Sequence, residues 1–92
     1  MGGSVGAELS TLRTLHTTFG TKAQEALDIK NAVDNGVNSA VWTGKYSNDF
    51  RTAWQDYRKN LDHLHVALDG AAKDVKINHN NIAEATGEPE RI

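Results

Sequence analysis

The chain reads as all-α: an antiparallel two-helix hairpin that dimerises into a four-helix bundle. Three observations point there. Apolar residues recur in steps of three and four along two long stretches, the rhythm of a helix face. The first series is Leu9, Leu12, His16, Phe19, Ala23, Ala26, Lys30, Val33, Val37 and Ala40, and the second is Tyr46, Phe50, Trp54, Tyr57, Leu61, Leu64, Leu68, Ala71, Val75, Asn78 and Ile82. No stretch alternates apolar and polar residues for long enough to suggest a half-buried strand, and the single proline, Pro89, lies beyond both series. Between them sits Trp42-Thr43-Gly44, which places a tryptophan at the bend.

The elements follow from local chemistry. Gly2, Gly3 and Gly6 make residues 1–6 a flexible N-terminus, with Ser4 as a plausible N-cap for the first turn. Helix 1 is expected over about 7–40. Asn35-Gly36 is a turn signal inside it, but Val37 and Ala40 keep the seam going. Thr17, Thr18 and Thr21 around Gly20 have low helix propensity and mark the place for a local bend. The bend itself occupies 42–44. Helix 2 is expected over about 46–85, capped by Thr43 or by Ser47, the latter putting Asp49 in the first turn where a negative charge suits the dipole. Gly87 then stops the helix, leaving residues 86–92 as a frayed tail.

So short a connection forces the helices antiparallel. Arms of ~35 residues would be ~50 Å long, with no third element to cover their outer faces. Leu15, Leu27, Ile29, Val41, Ala53, Val66, Ala67, Ala72 and Ile77 lie beside the main stripes. A bare monomer would therefore show the kind of apolar surface that marks an interaction site. A second hairpin is the simplest cover, and Leu12, Phe19, Phe50, Trp54, Tyr57, Leu61, Leu64 and Leu68 are the residues expected to pack the core and the dimer. The interruptions His16 and Lys30 either pair with a partner or snorkel past the seam.

Composition narrows the function. At 92 residues this is one domain at most, in the size range where one core is marginal without help. The absence of cysteine excludes disulfides and thiolate sites, and a net charge of -2 with dispersed charges leaves no basic face for nucleic acid. No apolar run approaches the ~20 residues of a membrane span. The first residues lack the basic and apolar regions of a secretory signal. There is no cysteine nucleophile, phosphate loop or serine elbow, and a two-helix hairpin offers no deep concavity for a substrate, so no catalytic residue, cofactor or enzymatic role is expected.

The length, the helix-turn-helix layout, the central Trp42-Thr43-Gly44 and the aromatic positions Phe50 and Tyr57 together resemble the WXG100 (ESAT-6-like) proteins, over nearly the whole chain. A lone W-x-G tripeptide is weak, but at the middle of a cysteine-free helical chain of this size it becomes fairly specific. The resemblance implies a small protein exported folded and dimeric by the type VII secretion system, without a cleaved signal peptide. It would be cytoplasmic before export and extracellular or at the cell surface after it. The implied partners are itself or a paralogous WXG100 chain, and the type VII secretion ATPase.

The chain departs from the family at one point. Its members commonly carry Tyr-x-x-x-Asp or Tyr-x-x-x-Glu late in the second helix, whereas both tyrosines here, Tyr46 and Tyr57, come early. The late equivalents are Asn80-x-x-x-Glu84 and, upstream, His65-x-x-x-Asp69, each pair sharing a helical face but lacking the ring. Two outcomes stay open: a variant signal formed by Asn80, Ile82 and Glu84, or export on a partner's signal. Within the same fold, the rival role is a cytoplasmic chaperone-like partner for a larger type VII effector.

One constellation has a different chemistry. Asp62, His65 and Asp69 are spaced by three and four, as metal-binding helices space their ligands, and would define a metal-binding bundle. The blander account is a polar face on which Asp69 pairs with Lys73. Trp42 covers the open end of the hairpin or serves recognition at the bend, and Gly44 supplies a positive φ or a close helix approach.

Overall fold

The computed structural model describes residues 8–92; the expected N-cap Ser4 and the start of the chain lie outside the described residues. Two helices, α1 (Leu9–Ser39) and α2 (Lys45–Ala85), pack against each other over their length, and there is no strand among the described residues. The expected all-helical hairpin is therefore what forms. Its Cα atoms span 66 × 17 × 16 Å with a radius of gyration of 19.9 Å, against roughly 12 Å for a compact domain of this length. α1 runs without interruption through Thr17–Thr21 and through Asn35-Gly36. Of these threonines Thr18 donates back into the helix, its Oγ1 bonding the Thr14 carbonyl, as Thr14 Oγ1 does the Ser10 carbonyl one turn earlier, each at 3.0 Å.

The connection between the helices is organised from α2. Gly44 is the N-cap residue, at φ 102° and ψ -174°, and no side chain caps the helix. This corrects the expectation that Thr43 or Ser47 would do so. That corner of backbone space is essentially glycine's alone, which is why a glycine stands there. Ser47 lies within the first turn, and its hydroxyl donates to the Trp42 carbonyl at 2.8 Å. Arg51 completes the clamp. Its guanidinium donates to the carbonyls of Val37, Ala40 and Trp42, and its Nε to Ser47 Oγ at 3.0 Å. α1 has no basic residue in its own last turn, so a cation from the next helix satisfies its orphan carbonyls and complements its dipole.

Gly87, at φ 76°, ends α2. The Gly87 N–H bonds the Glu84 carbonyl at 3.2 Å and the Glu88 N–H the Ala83 carbonyl at 2.8 Å, the two bonds of a Schellman motif.

The seam between the helices differs from the one the apolar rhythm suggests. On α2 the inward positions are Ser47, Arg51, Trp54, Arg58, Leu61, His65, Leu68, Ala72, Val75 and His79. Trp54, Leu61, Leu68 and Val75 stand where expected. At the alternating positions, however, each expected residue gives way to the next in sequence: Tyr46 to Ser47, Phe50 to Arg51, Tyr57 to Arg58, Leu64 to His65, Ala71 to Ala72 and Asn78 to His79. Three of these neighbours have partners on α1, Arg51 at the Val37 carbonyl, Arg58 at Asp34 and His65 at the Ala23 carbonyl, while Ser47 bonds the connection and His79 bonds Asn80 of its own helix. Trp54 Nε1 donates to Asp34 Oδ1 at 2.7 Å, and Arg58 holds the same carboxylate through Nε and Nη2 at 3.0 and 2.6 Å. Lys30 pairs with Asp62 at 2.5 Å.

Two histidines add a reciprocal clamp. His16 Nδ1 donates to the Ala72 carbonyl at 2.8 Å, and His65 Nδ1 donates to the Ala23 carbonyl at 2.9 Å. Because a carbonyl can only accept, both imidazoles carry a proton on Nδ1. Each bridge lands on a buried alanine, where the small side chain lets the imidazole reach the opposing backbone. Both interruptions of the first apolar series, His16 and Lys30, thus find partners inside the hairpin.

Gly44→Ala is expected to cost about 1–3 kcal/mol, the strain of a non-glycine residue in this backbone region. Gly20→Ala, in mid-helix where a Cβ meets nothing within 4 Å, should instead gain roughly 0.5–1 kcal/mol. Urea unfolding of the two variants checks both signs.

Candidate interaction surface

The core of the hairpin is built from very small side chains. Among the described residues the buried apolar ones are Ala23, Ala26, Ala72, Ala83 and Trp54, the last at 9% exposure. No leucine, isoleucine, valine or phenylalanine is among them. Leu12, Phe19, Leu61 and Leu68 are half-buried at the edges of the seam. The remaining expected packing residues, Phe50, Tyr57 and Leu64, are exposed, Tyr57 by 56% and Leu64 by 46%.

These outward residues obey one rule. Leu15 precedes His16, Ile29 precedes Lys30 and Val33 precedes Asp34; Tyr46 precedes Ser47, Phe50 precedes Arg51, Tyr57 precedes Arg58 and Leu64 precedes His65. Each of these seven stands immediately before a polar residue of the seam, whereas Val66 and Ile77, also exposed, precede the exposed Ala67 and Asn78. Stepping back one residue rotates the side chain by about 100° about the helix axis. In an antiparallel pair, that rotation carries both helices' residues to the same side of the hairpin. Leu15, Ile29 and Val33 from α1 therefore share one broad face with Tyr46, Phe50, Tyr57 and Leu64 from α2. At the bend end, Val33, Val37, Trp42 and Phe50 line one open cleft of about 310 Å³. Lys22, in the same stepping position before Ala23, interrupts the α1 side, its ammonium 3.0 Å from Glu25.

Trp42 stands at the end of this face. It is 45% exposed, and its ring meets Phe50 at 5.6 Å between centroids with the planes tilted by 40°, a favoured aromatic arrangement. Its backbone, not its ring, takes part in closing the connection. Gly44 supplies the positive φ described above.

The electrostatics of the opposite flank are set by the seam pairs. The Arg58 guanidinium, followed by the Trp54 indole N–H, holds the Asp34 carboxyl below its ordinary 3.8. Lys30 does the same to Asp62, and Asp34 in turn raises Arg58. Asp62, His65 and Asp69 do not converge. Asp62 faces Lys30, His65 the Ala23 carbonyl, and Asp69 pairs with Lys73 at 3.0 Å. No group of three possible metal-binding side chains comes together among the described residues.

Asn80, Ile82 and Glu84 do not form one surface either. Asn80 and Glu84 share a face one turn apart, while Ile82 is rotated to the seam side, half-buried beside the fully buried Ala83. Among the described residues no helix is long and apolar enough to cross a membrane.

No protein-family model matches the chain, and neither the curated proteins nor the solved structures contain a match to it.

The depressed Asp34 and Asp62 carboxyls set the sign of the acid response. Their contribution to stability is complete above the ordinary 3.8 and is lost as the pH falls through the lowered folded-state values. Thermal melts of wild type and Asp34→Asn between about pH 6 and pH 2 check this. The wild type should lose melting temperature more steeply on acidification, and the difference between the two chains should shrink at the acid end.

Proposed function

We propose that this chain is a small interaction protein whose working form is a dimer of hairpins, and that it serves as a substrate or obligate partner of the type VII secretion system. The observation that carries the dimer is the apolar face just described, set against a core made almost wholly of alanine. A hairpin that turns polar residues inward and Phe50, Tyr57 and Leu64 outward has placed three large apolar groups where another chain can cover them. Packing a second hairpin on that face makes a four-helix bundle, with the outward residues as its shared core.

The export part of the reading is supported by the resemblance of the residues to WXG100 proteins. Trp42-Thr43-Gly44 lies in the connection between two long helices, with Gly44 in a conformation that requires glycine and Trp42 free to act in recognition. The chain would be made in the cytoplasm and exported folded, with no chemistry of its own. Its partners would be a second WXG100 chain and the secretion ATPase, the latter reading the Asn80–Glu84 face.

Sedimentation equilibrium on the purified chain tests the dimer. A species of twice the 10.0 kDa chain mass is expected. Tyr57→Asp with Leu64→Asp should move the population towards monomer, weakening association by at least about a hundredfold, because each change buries an unpaired charge in the shared core. In a host with a type VII system, the wild type should reach the medium and the double variant should stay in the cell. A wild type that is a stably folded monomer overturns the reading.

A further inference from the structure

Beyond the Schellman turn, the chain folds back along α2 instead of leaving it. Asn80 takes hold of Ile92 with both ends of its carboxamide. Its Nδ2 donates to the Ile92 carbonyl at 3.1 Å, and its Oδ1 accepts the Ile92 N–H at 2.9 Å. One side chain thereby takes both the N–H and a main-chain oxygen of Ile92. Farther back, Glu90 pairs with Arg13 of α1, so the segment crosses from one helix to the other. Arg91 Nη1 donates to the carbonyls of Glu88 and Glu90 at 2.6 and 2.8 Å, and Pro89 restricts the backbone between them.

The anchoring side chain is itself held from beneath. His79 is fully buried, and its Nδ1 lies 3.0 Å from Asn80 Oδ1. The opposed hydrogen bonds to Ile92 fix which end of the Asn80 amide is oxygen, so His79 is the donor and carries its proton on Nδ1. Asn80 is thus engaged on both sides, by His79 within the helix pair and by Ile92 above it.

From this geometry we infer that residues 88–92 are a strap that closes the open end of the hairpin and covers Asn80, so that a partner reading the Asn80–Glu84 face must first displace it. The strap follows from the contacts alone; its role as a cover for the export face rests on the reading under Proposed function. The contacts suit a releasable device. The Arg13–Glu90 pair is solvent-exposed on both sides, so its modest attraction turns to repulsion when one charge is reversed, while the grip on Ile92 is two hydrogen bonds at a half-buried position, which a competing backbone is able to replace. The Schellman turn at Gly87 is the fixed hinge from which the strap swings.

Two measurements separate the strap from the export reading. The first is nitrogen-15 relaxation and amide exchange on the full chain, compared with Glu90→Lys, which sets like charges against each other at Arg13. A further comparison is a chain ending at Glu88, which keeps the Schellman bonds. In the full chain the amides of Glu90 to Ile92 should have order parameters near the rigid value of ~0.85, falling below ~0.6 in Glu90→Lys. The Asn80 carboxamide protons should exchange with water at least about fivefold faster in the shortened chain than in the full one, as expected for a group uncovered by local release. A strap already mobile in the full chain, or an Asn80 exchange rate indifferent to its removal, overturns the inference whatever the export result.

The second measurement is the export rate of the same chains. Glu90→Lys and the shortened chain should leave the cell about threefold faster or more, because the fraction with an open Asn80 face rises. Unchanged or slower export beside an ordered strap overturns the cover role and leaves only a structural clasp. Absence of export in every chain, wild type included, overturns the secretion reading and with it the cover role, while the relaxation data still decide the strap.

Discussion

What organises this molecule is the polar character of its helix-helix seam. Asp34 accepts from both Trp54 and Arg58, Lys30 pairs with Asp62, two histidines reach across to opposing carbonyls, and Arg51 caps the end of α1. Each contact is local and modest, but together they set the rotation of α2 about its own axis. A rotation of one residue step would bring Phe50, Tyr57 and Leu64 inward and strand the partners of Arg51, Arg58 and His65. The seam as built leaves those partners satisfied, and the cost is an apolar face turned to solvent. Buried polar groups are expensive to leave unpaired, whereas an exposed apolar face is relieved as soon as something packs on it. That asymmetry favours the observed rotation, with the apolar face left outside.

The same logic assigns the small residues. Ala23 and Ala72 lie at the two ends of the histidine clamp, one heptad from His16 and His65 respectively. A larger side chain at either position would hold the helices apart and lengthen both bridges. The alanine-rich core is thus the counterpart of the polar seam: the helices approach closely enough for side chains to bond the opposite backbone, and there is little room left for leucine between them. Much of the apolar volume is displaced to the flank, where it forms the exposed face.

Much of this was legible in the chain before folding. Two long helices, their connection around Trp42-Thr43-Gly44, the stop at Gly87 and the excess of apolar surface over one seam all follow from periodicity and from glycine's backbone freedom. The packing residues were legible as a set but not in their division. Trp54, Leu61 and Leu68 face α1, whereas Phe50, Tyr57 and Leu64 face away, because periodicity reports that a residue is apolar and not which of two faces will bury it. The polar members of the seam were missed for the same reason, since an apolar count passes over Arg58 and Asp34. A signal did exist. A polar residue follows each of Tyr46, Phe50, Tyr57 and Leu64, and Asp34, Asp62, Arg58 and Lys30 have opposite charges at antiparallel register. The grip of Asn80 on Ile92 had no such signal, because it depends on how the chain turns after Gly87.

The sequence by itself determined the helical class, the two arms, the glycine-dependent corners and the presence of more apolar surface than one hairpin hides. These are properties of single residues and of spacing along one helix, where a step of about 100° per residue leaves little choice. Only the tertiary structure decided which face of α2 meets α1, which carboxylate each cation takes, and where the C-terminal segment lies. Those outcomes depend on pairings between residues 12 to 77 positions apart, and the competition between a satisfied polar seam and a buried apolar one is resolved only when both helices are present.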